Sequence, residues 1–116
     1  MRGRGISASA FVAVAVSIAA PLVQAQVTAV TGAGSRSCEQ MQTDIADLPN
    51  VRRAYVSWMQ GYLSGRNAVR EAEELALVDL ADYEAQWDWV VGWCAEQPGR
   101  AFADAAAALF EARAGS

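Results

Sequence analysis

The chain contains no histidine and no lysine, and its only cysteines are Cys38 and Cys94. Each shortage removes a class of chemistry. Histidine is the side chain that titrates unperturbed near neutral pH, and lysine is the common amine nucleophile. Without them Ser64, in Tyr62-Leu63-Ser64-Gly65, has no base to activate it. There is no Gly-x-Ser-x-Gly elbow, no phosphate-binding glycine loop and no Asp-x-Asp-x-Asp-Gly calcium loop. Thr31–Ser35 is glycine-containing but follows no strand. The acids Glu71, Glu73, Glu74, Asp79, Asp82 and Glu84 are close in sequence, yet on short helices such runs are ordinarily solvated faces rather than acid/base pairs. These absences argue against an enzyme, a metal site or a cofactor and for a binding protein.

Long apolar runs are also scarce. The one present, Ile6 to Val23, follows Arg2 and Arg4 and leads to Val23-Gln24-Ala25. Basic, apolar, then small is the order of a secretory signal peptide, which places residues 1–25 in a leader cleaved after Ala25. As a membrane span the run is diluted by Ser7, Ser9, Ser17 and Pro21. Cys38 follows Gly34-Ser35-Arg36-Ser37, without the apolar residue expected three places before a lipidated cysteine. The expected location is the periplasm, with no membrane attachment after processing. The net charge of −4 becomes −6 once Arg2 and Arg4 are removed. So acidic a chain does not suit nucleic acid or an anionic membrane surface.

What remains reads as one all-α domain. Residues 26–36 are small and polar, the composition of a flexible leader. Ser37 with Gln40 three places on suggests a capping box for a short helix from Cys38 to about Ala46, stopped by Leu48-Pro49. Asn50 is positioned to cap a longer helix over about 51–70, with Val51, Tyr55, Trp58, Met59, Tyr62, Leu63 and Val69 on one face. Gly61 and Gly65, four apart on it, suggest helix packing by close backbone approach, or a break near Gly65. Residues 71–78 either extend this helix or form a turn. A third helix starts at Asp79 or Asp82 and reaches about Gln97, with Leu80, Tyr83, Trp87, Val90 and Cys94 as its inward seam. After Pro98-Gly99 a last helix spans about 100–113 and buries Phe102, Ala105, Ala106, Leu109 and Phe110.

The expected architecture is a small four-helix bundle, one helix short, stapled by a single disulfide. In an exported domain an even cysteine count most simply means a bridge. Cys38 to Cys94 closes about 57 residues, worth roughly 4 kcal/mol on the chain-entropy model. Four tryptophans and three tyrosines lie between residues 55 and 93. A core role suits Trp58 and Trp87. Trp89 and Trp93 lie off the inward seam of their helix. Trp58, Tyr62, Trp89 and Trp93 are therefore the candidates for protein-binding or interface residues, where aromatics are enriched.

Three segments, SCEQM at 37–41, YVSWMQGYLSGRNA at 55–68 and WCAEQPGRAF at 93–102, together resemble the HdeA/HdeB-like periplasmic proteins. The resemblance covers nearly all of 37–113 and is carried by Cys38, Trp58, Gly61, Tyr62, Gly65, Cys94 and Pro98 in that order. It implies an all-helical, single-disulfide periplasmic domain, often a homodimer. The best-known members are acid-stress chaperones that loosen and dissociate at low pH and expose apolar surface to unfolding client proteins. This chain departs from them in having no lysine and more tryptophan. Its own charges permit such a switch: protonating 13 carboxylates would leave seven arginines of the exported chain to repel one another. The alternative is a stoichiometric inhibitor, since Met59-Gln60-Gly61-Tyr62-Leu63-Ser64-Gly65 also resembles the Cys-x-Gly-Tyr-x-x-Gly segment of Rap/Tai type VI immunity proteins, with methionine in place of the cysteine. On either reading the partner is another protein.

Overall fold

The computed structural model describes residues 30–115, so the leader at 1–25 and residues 26–29 lie outside the described residues. Four helices follow in order: α1 (Cys38–Asp47), α2 (Arg52–Ala72), α3 (Tyr83–Glu96) and α4 (Phe102–Ala114). Short 3-10 turns at Gly32–Ser35 and Pro49–Val51 precede α1 and α2. The described residues contain no strand, only an isolated antiparallel bridge between Ser37 and Ala101.

The helix boundaries have identifiable causes. Ser37 Oγ accepts from the Gln40 N–H at 3.0 Å, which is the forward half of the expected capping box. The next free donors of α1 are met across the chain: Cys38 N–H donates to the Arg100 carbonyl at 2.7 Å and Glu39 N–H to that of Pro98 at 3.0 Å. Leu48, held extended by the proline after it, ends α1. Asn50 does not cap α2. It lies inside the Pro49–Val51 turn, and Val51 at the N-cap offers no side-chain acceptor. Asp82 caps α3, its Oδ1 accepting from Ala85 N–H at 2.9 Å. At α4 the N-cap is alanine, and Asp104 accepts from the Ala101 N–H instead.

Helix α2 stops at Ala72, so residues 73–82 connect rather than extend it. Leu75 N–H donates back to the Arg70 carbonyl and Glu74 N–H to that of Glu71. This is a Schellman closure, with Glu74 at the left-handed position, φ 58°. Glycine is the usual occupant because it carries no Cβ penalty there. Glu74→Gly is therefore expected to raise unfolding stability by about 0.5–1 kcal/mol, read from the urea midpoint.

The core lies where α4 meets α2 and α3. Phe102, Ala105, Ala106, Leu109 and Phe110 are all buried, as the spacing of α4 predicts. They meet Tyr55, Met59 and Leu63 of α2 and Val90 and Cys94 of α3 in one cluster. Phe102 is its hub: the rings of Tyr55, Trp58 and Trp87 lie 5.0, 5.9 and 6.0 Å from its own. The Cys38–Cys94 disulfide joins the start of α1 to the end of α3, with Cα atoms 5.0 Å apart. Beside it the Ser37–Ala101 bridge adds a bond from Phe102 N–H to the Arg36 carbonyl at 2.8 Å. Thus α1, α3 and the start of α4 are fastened at one end.

Two sequence expectations are corrected here. Residues 31–36 are not a flexible leader: Gly32–Ser35 is a packed turn and Gly34 is buried. Gly61 and Gly65 do not mediate helix packing, because an added Cβ at either would meet nothing within 4 Å. Both are exposed, on the side of α2 turned away from Tyr55, Met59 and Leu63. The helix also runs unbroken through Gly65.

Candidate protein-binding surface

The aromatic candidates separate into two places. On α2, Trp58 stacks on Tyr62 with ring centroids 5.4 Å apart. The chain covers Trp58 itself. Trp58 Nε1 donates to the Thr31 carbonyl at 3.0 Å, and the Gly32–Ser35 turn lies across the indole. At Gly34 the approach is so close that a Cβ would sit 2.0 Å from the Trp58 ring. Gly34→Ala is expected to lift the turn off and cost about 1–3 kcal/mol, the range for overpacking. Red-shifted tryptophan emission with a lowered melting temperature would show it.

On α3, Trp89 and Trp93 are half-buried and pack against the core rather than standing free. The Arg100 guanidinium lies 5.7 Å from the Trp93 ring centre. Of the predicted seam, Trp87, Val90 and Cys94 are buried, Leu80 is half-buried ahead of the helix, and Tyr83 is exposed. Buried Gln86 takes a position that the apolar spacing does not single out. Its Oε1 accepts from Gln60 Nε2 across α2 and α3. Its own Nε2 has no partner among the described residues.

A shallow apolar groove of about 330 Å³ opens between α1 and α3, lined by Met41, Gln42, Ile45, Ala46, Trp87 and Val91. The helix periods explain it. Met41 and Ile45 are four apart on α1, and Trp87 and Val91 four apart on α3, so two stripes face each other. The disulfide ties the two helices about one turn beyond Met41 and Val91, at one end of the groove. Tyr83, one turn before Trp87, and Leu48, just past Ile45, are exposed. The lining carries no nucleophile and no ionisable group. It suits an apolar side chain of a partner and has nothing with which to react.

Charge is divided sharply among the helices. Helix α2 carries Arg52, Arg53, Arg66 and Arg70 against one acid, Glu71. Helix α1 carries Glu39, Asp44 and Asp47 and no base, and α3 carries Glu84, Asp88 and Glu96 and no base. The cationic helix is thus set among anionic ones, and acid contacts tie it to each. Tyr55 Oη donates to Asp44 Oδ2 at 2.7 Å, Arg52 pairs with Glu84 at 2.6 Å, and Arg66 pairs with Glu111 of α4. Arg66 also lies over the Phe110 ring at 4.5 Å.

Asp44 is the most engaged acid. Arg36 Nε also donates to it at 2.7 Å. The hydrogen bonds from Arg36 and then Tyr55 hold its carboxyl below the usual aspartate range. Burial, followed by the hydrogen bond to Asp44, pushes the Tyr55 phenol up to about 12, so it stays a donor at neutral pH. No group of three or more His, Cys, Asp or Glu side chains fit to hold a metal ion occurs among the described residues. No described helix is long and apolar enough to cross a membrane. No protein-family model, curated protein or solved structure matches this chain.

Proposed function

We propose that the chain is an exported, non-catalytic protein-binding domain of the periplasm that opens in acid to hold unfolding client proteins, in the manner of the acid-stress chaperones it resembles. The observation that supports this is the position of α2. It is the one cationic helix among acidic neighbours, and neither the disulfide nor the Ser37–Ala101 bridge reaches it. At neutral pH, the Arg52–Glu84 and Arg66–Glu111 pairs help hold α2 against α3 and α4, and Tyr55 donates to Asp44 of α1. In strong acid, carboxylates take up protons while arginine keeps its charge. The attraction is then lost, and the four arginines of α2 repel Arg36, Arg100 and Arg113. Movement of α2 would uncover Phe102, Leu109 and Phe110, the apolar surface a client needs. The disulfide would limit expansion and guide refolding.

The sign of the pH dependence follows from Asp44. Its folded pKa lies below the unfolded value near 4. Its stabilisation is therefore complete above that value and disappears as pH falls through the folded pKa. Asp44→Asn is expected to be less stable than the parent at pH 7, with a smaller gap at pH 2. Denaturant curves at the two pH values would check this.

The oxidised exported chain should be titrated from pH 7 to pH 2, following tryptophan fluorescence, sedimentation and a client-aggregation assay together. Dye binding and suppression of aggregation should appear below pH 4 and reverse on neutralisation, and any homodimer should dissociate in the same range. An unchanged near-UV spectrum with no dye binding at pH 2 would refute acid opening. A second reading, tight stoichiometric binding of one protein as in the immunity proteins, draws on the α1–α3 groove, which is open in the closed form. Nanomolar binding to a single partner at pH 7 would favour it.

A further inference from the structure

The connection between α2 and α3 is built as a strand without a sheet. Asn67 of α2 donates from Nδ2 to the Val78 carbonyl at 2.8 Å and accepts from the Val78 N–H at 2.9 Å. One side-chain amide can meet both groups only if they point the same way, as in an extended residue of a β-ladder. Arg70 Nε donates to the Ala76 carbonyl at 2.6 Å, from the same side. Val78 anchors the segment in the core. The Ala76 carbonyl and both backbone groups of Val78 are thus satisfied by α2 side chains standing in for a neighbouring strand.

Alternation then turns the groups of residue 77 outward. Among the described residues, nothing bonds to the N–H or C=O of Leu77. Leu77 is 56% exposed, and Leu75, whose N–H is already bonded to the Arg70 carbonyl in the closure of α2, is 48% exposed beside it. An exposed edge of this kind is a template for an added strand. Its surroundings are strongly acidic: Glu71, Glu73, Glu74, Asp79 and Asp82 are all exposed. The nearest base, Arg70, is engaged with Ala76. Antiparallel self-pairing about Leu77 would bring these acids against those of a second copy, so the charge disfavours a homodimer here.

We propose that residues 75–79 bind, by strand addition, an extended segment of another protein that alternates apolar residues with arginine or lysine. Main-chain bonds to Leu77 supply register, Leu75 and Leu77 meet the partner's apolar residues, and the flanking carboxylates select a cationic chain. The site belongs to the closed form at neutral pH and does not depend on acid opening.

The test uses the oxidised chain at pH 7 and 150 mM salt, with two synthetic hexapeptides, one alternating valine with arginine and one alternating valine with glutamate. The arginine peptide should shift the NMR signals of 75–79 and slow exchange of the Leu77 amide at least tenfold. The glutamate peptide should do neither. Leu77→Pro removes the outward N–H and leaves the bonds of 76 and 78, so it should weaken binding at least tenfold. Leu77→Arg keeps the backbone and should weaken it several-fold by charge, which covers the case where the proline variant fails to fold. Equal binding by Leu77→Arg, shifts centred elsewhere, or no binding at millimolar peptide would overturn the proposal. So would self-association through 75–79 in place of peptide binding.

Discussion

Reduction of the Cys38–Cys94 bridge is expected to lower unfolding stability by about 4 kcal/mol, the chain-entropy value for a loop of this length. The sequence separation is 56 residues, and both cysteines are fully buried. A domain this small sits toward the low end of the usual range of about 5–15 kcal/mol, so such a loss leaves little. The structure adds a local reason. Helix α1 has ten residues, too short to persist alone. Its first N–H groups depend on the carbonyls of Pro98 and Arg100, which lie just past Cys94. Freeing Cys94 therefore loosens the α3–α4 turn and the start of α1 together. Urea unfolding of oxidised and reduced chains should show the midpoint fall by about 2–4 M. A paired Cys38→Ala, Cys94→Ala chain should reproduce most of the loss. A change under about 1 kcal/mol would mean that packing alone holds α1 against α3.

Phe102→Ala should cost about 3–5 kcal/mol, the range for emptying an aromatic site in a core. Phe102 is fully buried, and three aromatic rings on two other helices meet it, Tyr55 at an interplanar angle of 75°. No single neighbour can collapse into the space without parting from the others. Each ring pair also contributes about 0.5–1.5 kcal/mol beyond area. The melting temperature should drop by about 15–30 °C for a domain of this size. Phe102→Leu, which keeps most of the volume, should cost less than half as much. Because Phe102 packs against both Trp58 and Trp87, intrinsic fluorescence should change in the native baseline as well as in the midpoint.

Much of this fold was legible in the sequence. Ser37 and the prolines at 49 and 98 marked the start of α1 and the connections, and the start of α3 was narrowed to Asp79 or Asp82, of which Asp82 is the cap. The spacing of Phe102, Ala105, Ala106, Leu109 and Phe110 identified the buried face of α4 residue by residue. The pairing of Cys38 with Cys94 followed from their number and the expectation of export. What was not legible depended on contacts distant in sequence. Residues 31–36 look flexible because glycine and serine carry no period; their order comes from Trp58, about 25 residues away, whose ring lies where a Cβ on residue 34 would be. Gly61 and Gly65 have helix-contact spacing, but they lie off the apolar face of Tyr55, Met59 and Leu63, so their spacing alone misleads. The division of charge among helices can be counted in the sequence. That the cationic helix lies between anionic ones needed the packing. The strand-like segment at 75–79 carries no strand pattern, because its partners are the side chains of Asn67 and Arg70.

On the proposed reading the same architecture would separate two jobs. The fastened end, where α1, α3 and the start of α4 meet, would preserve the fold through stress. Helix α2, held by its ion pairs and by buried Tyr55, Met59 and Leu63, would be the element that acid releases. Hydrogen exchange of the oxidised chain, read by mass spectrometry at pH 7 and pH 2.5 with labelling times scaled for intrinsic chemistry, measures this directly. The expected result is that amides of Tyr55–Leu63 lose at least tenfold more protection in acid than those of Trp87–Cys94. Equal loss in both helices, or full protection of α2 at pH 2.5, would contradict the account.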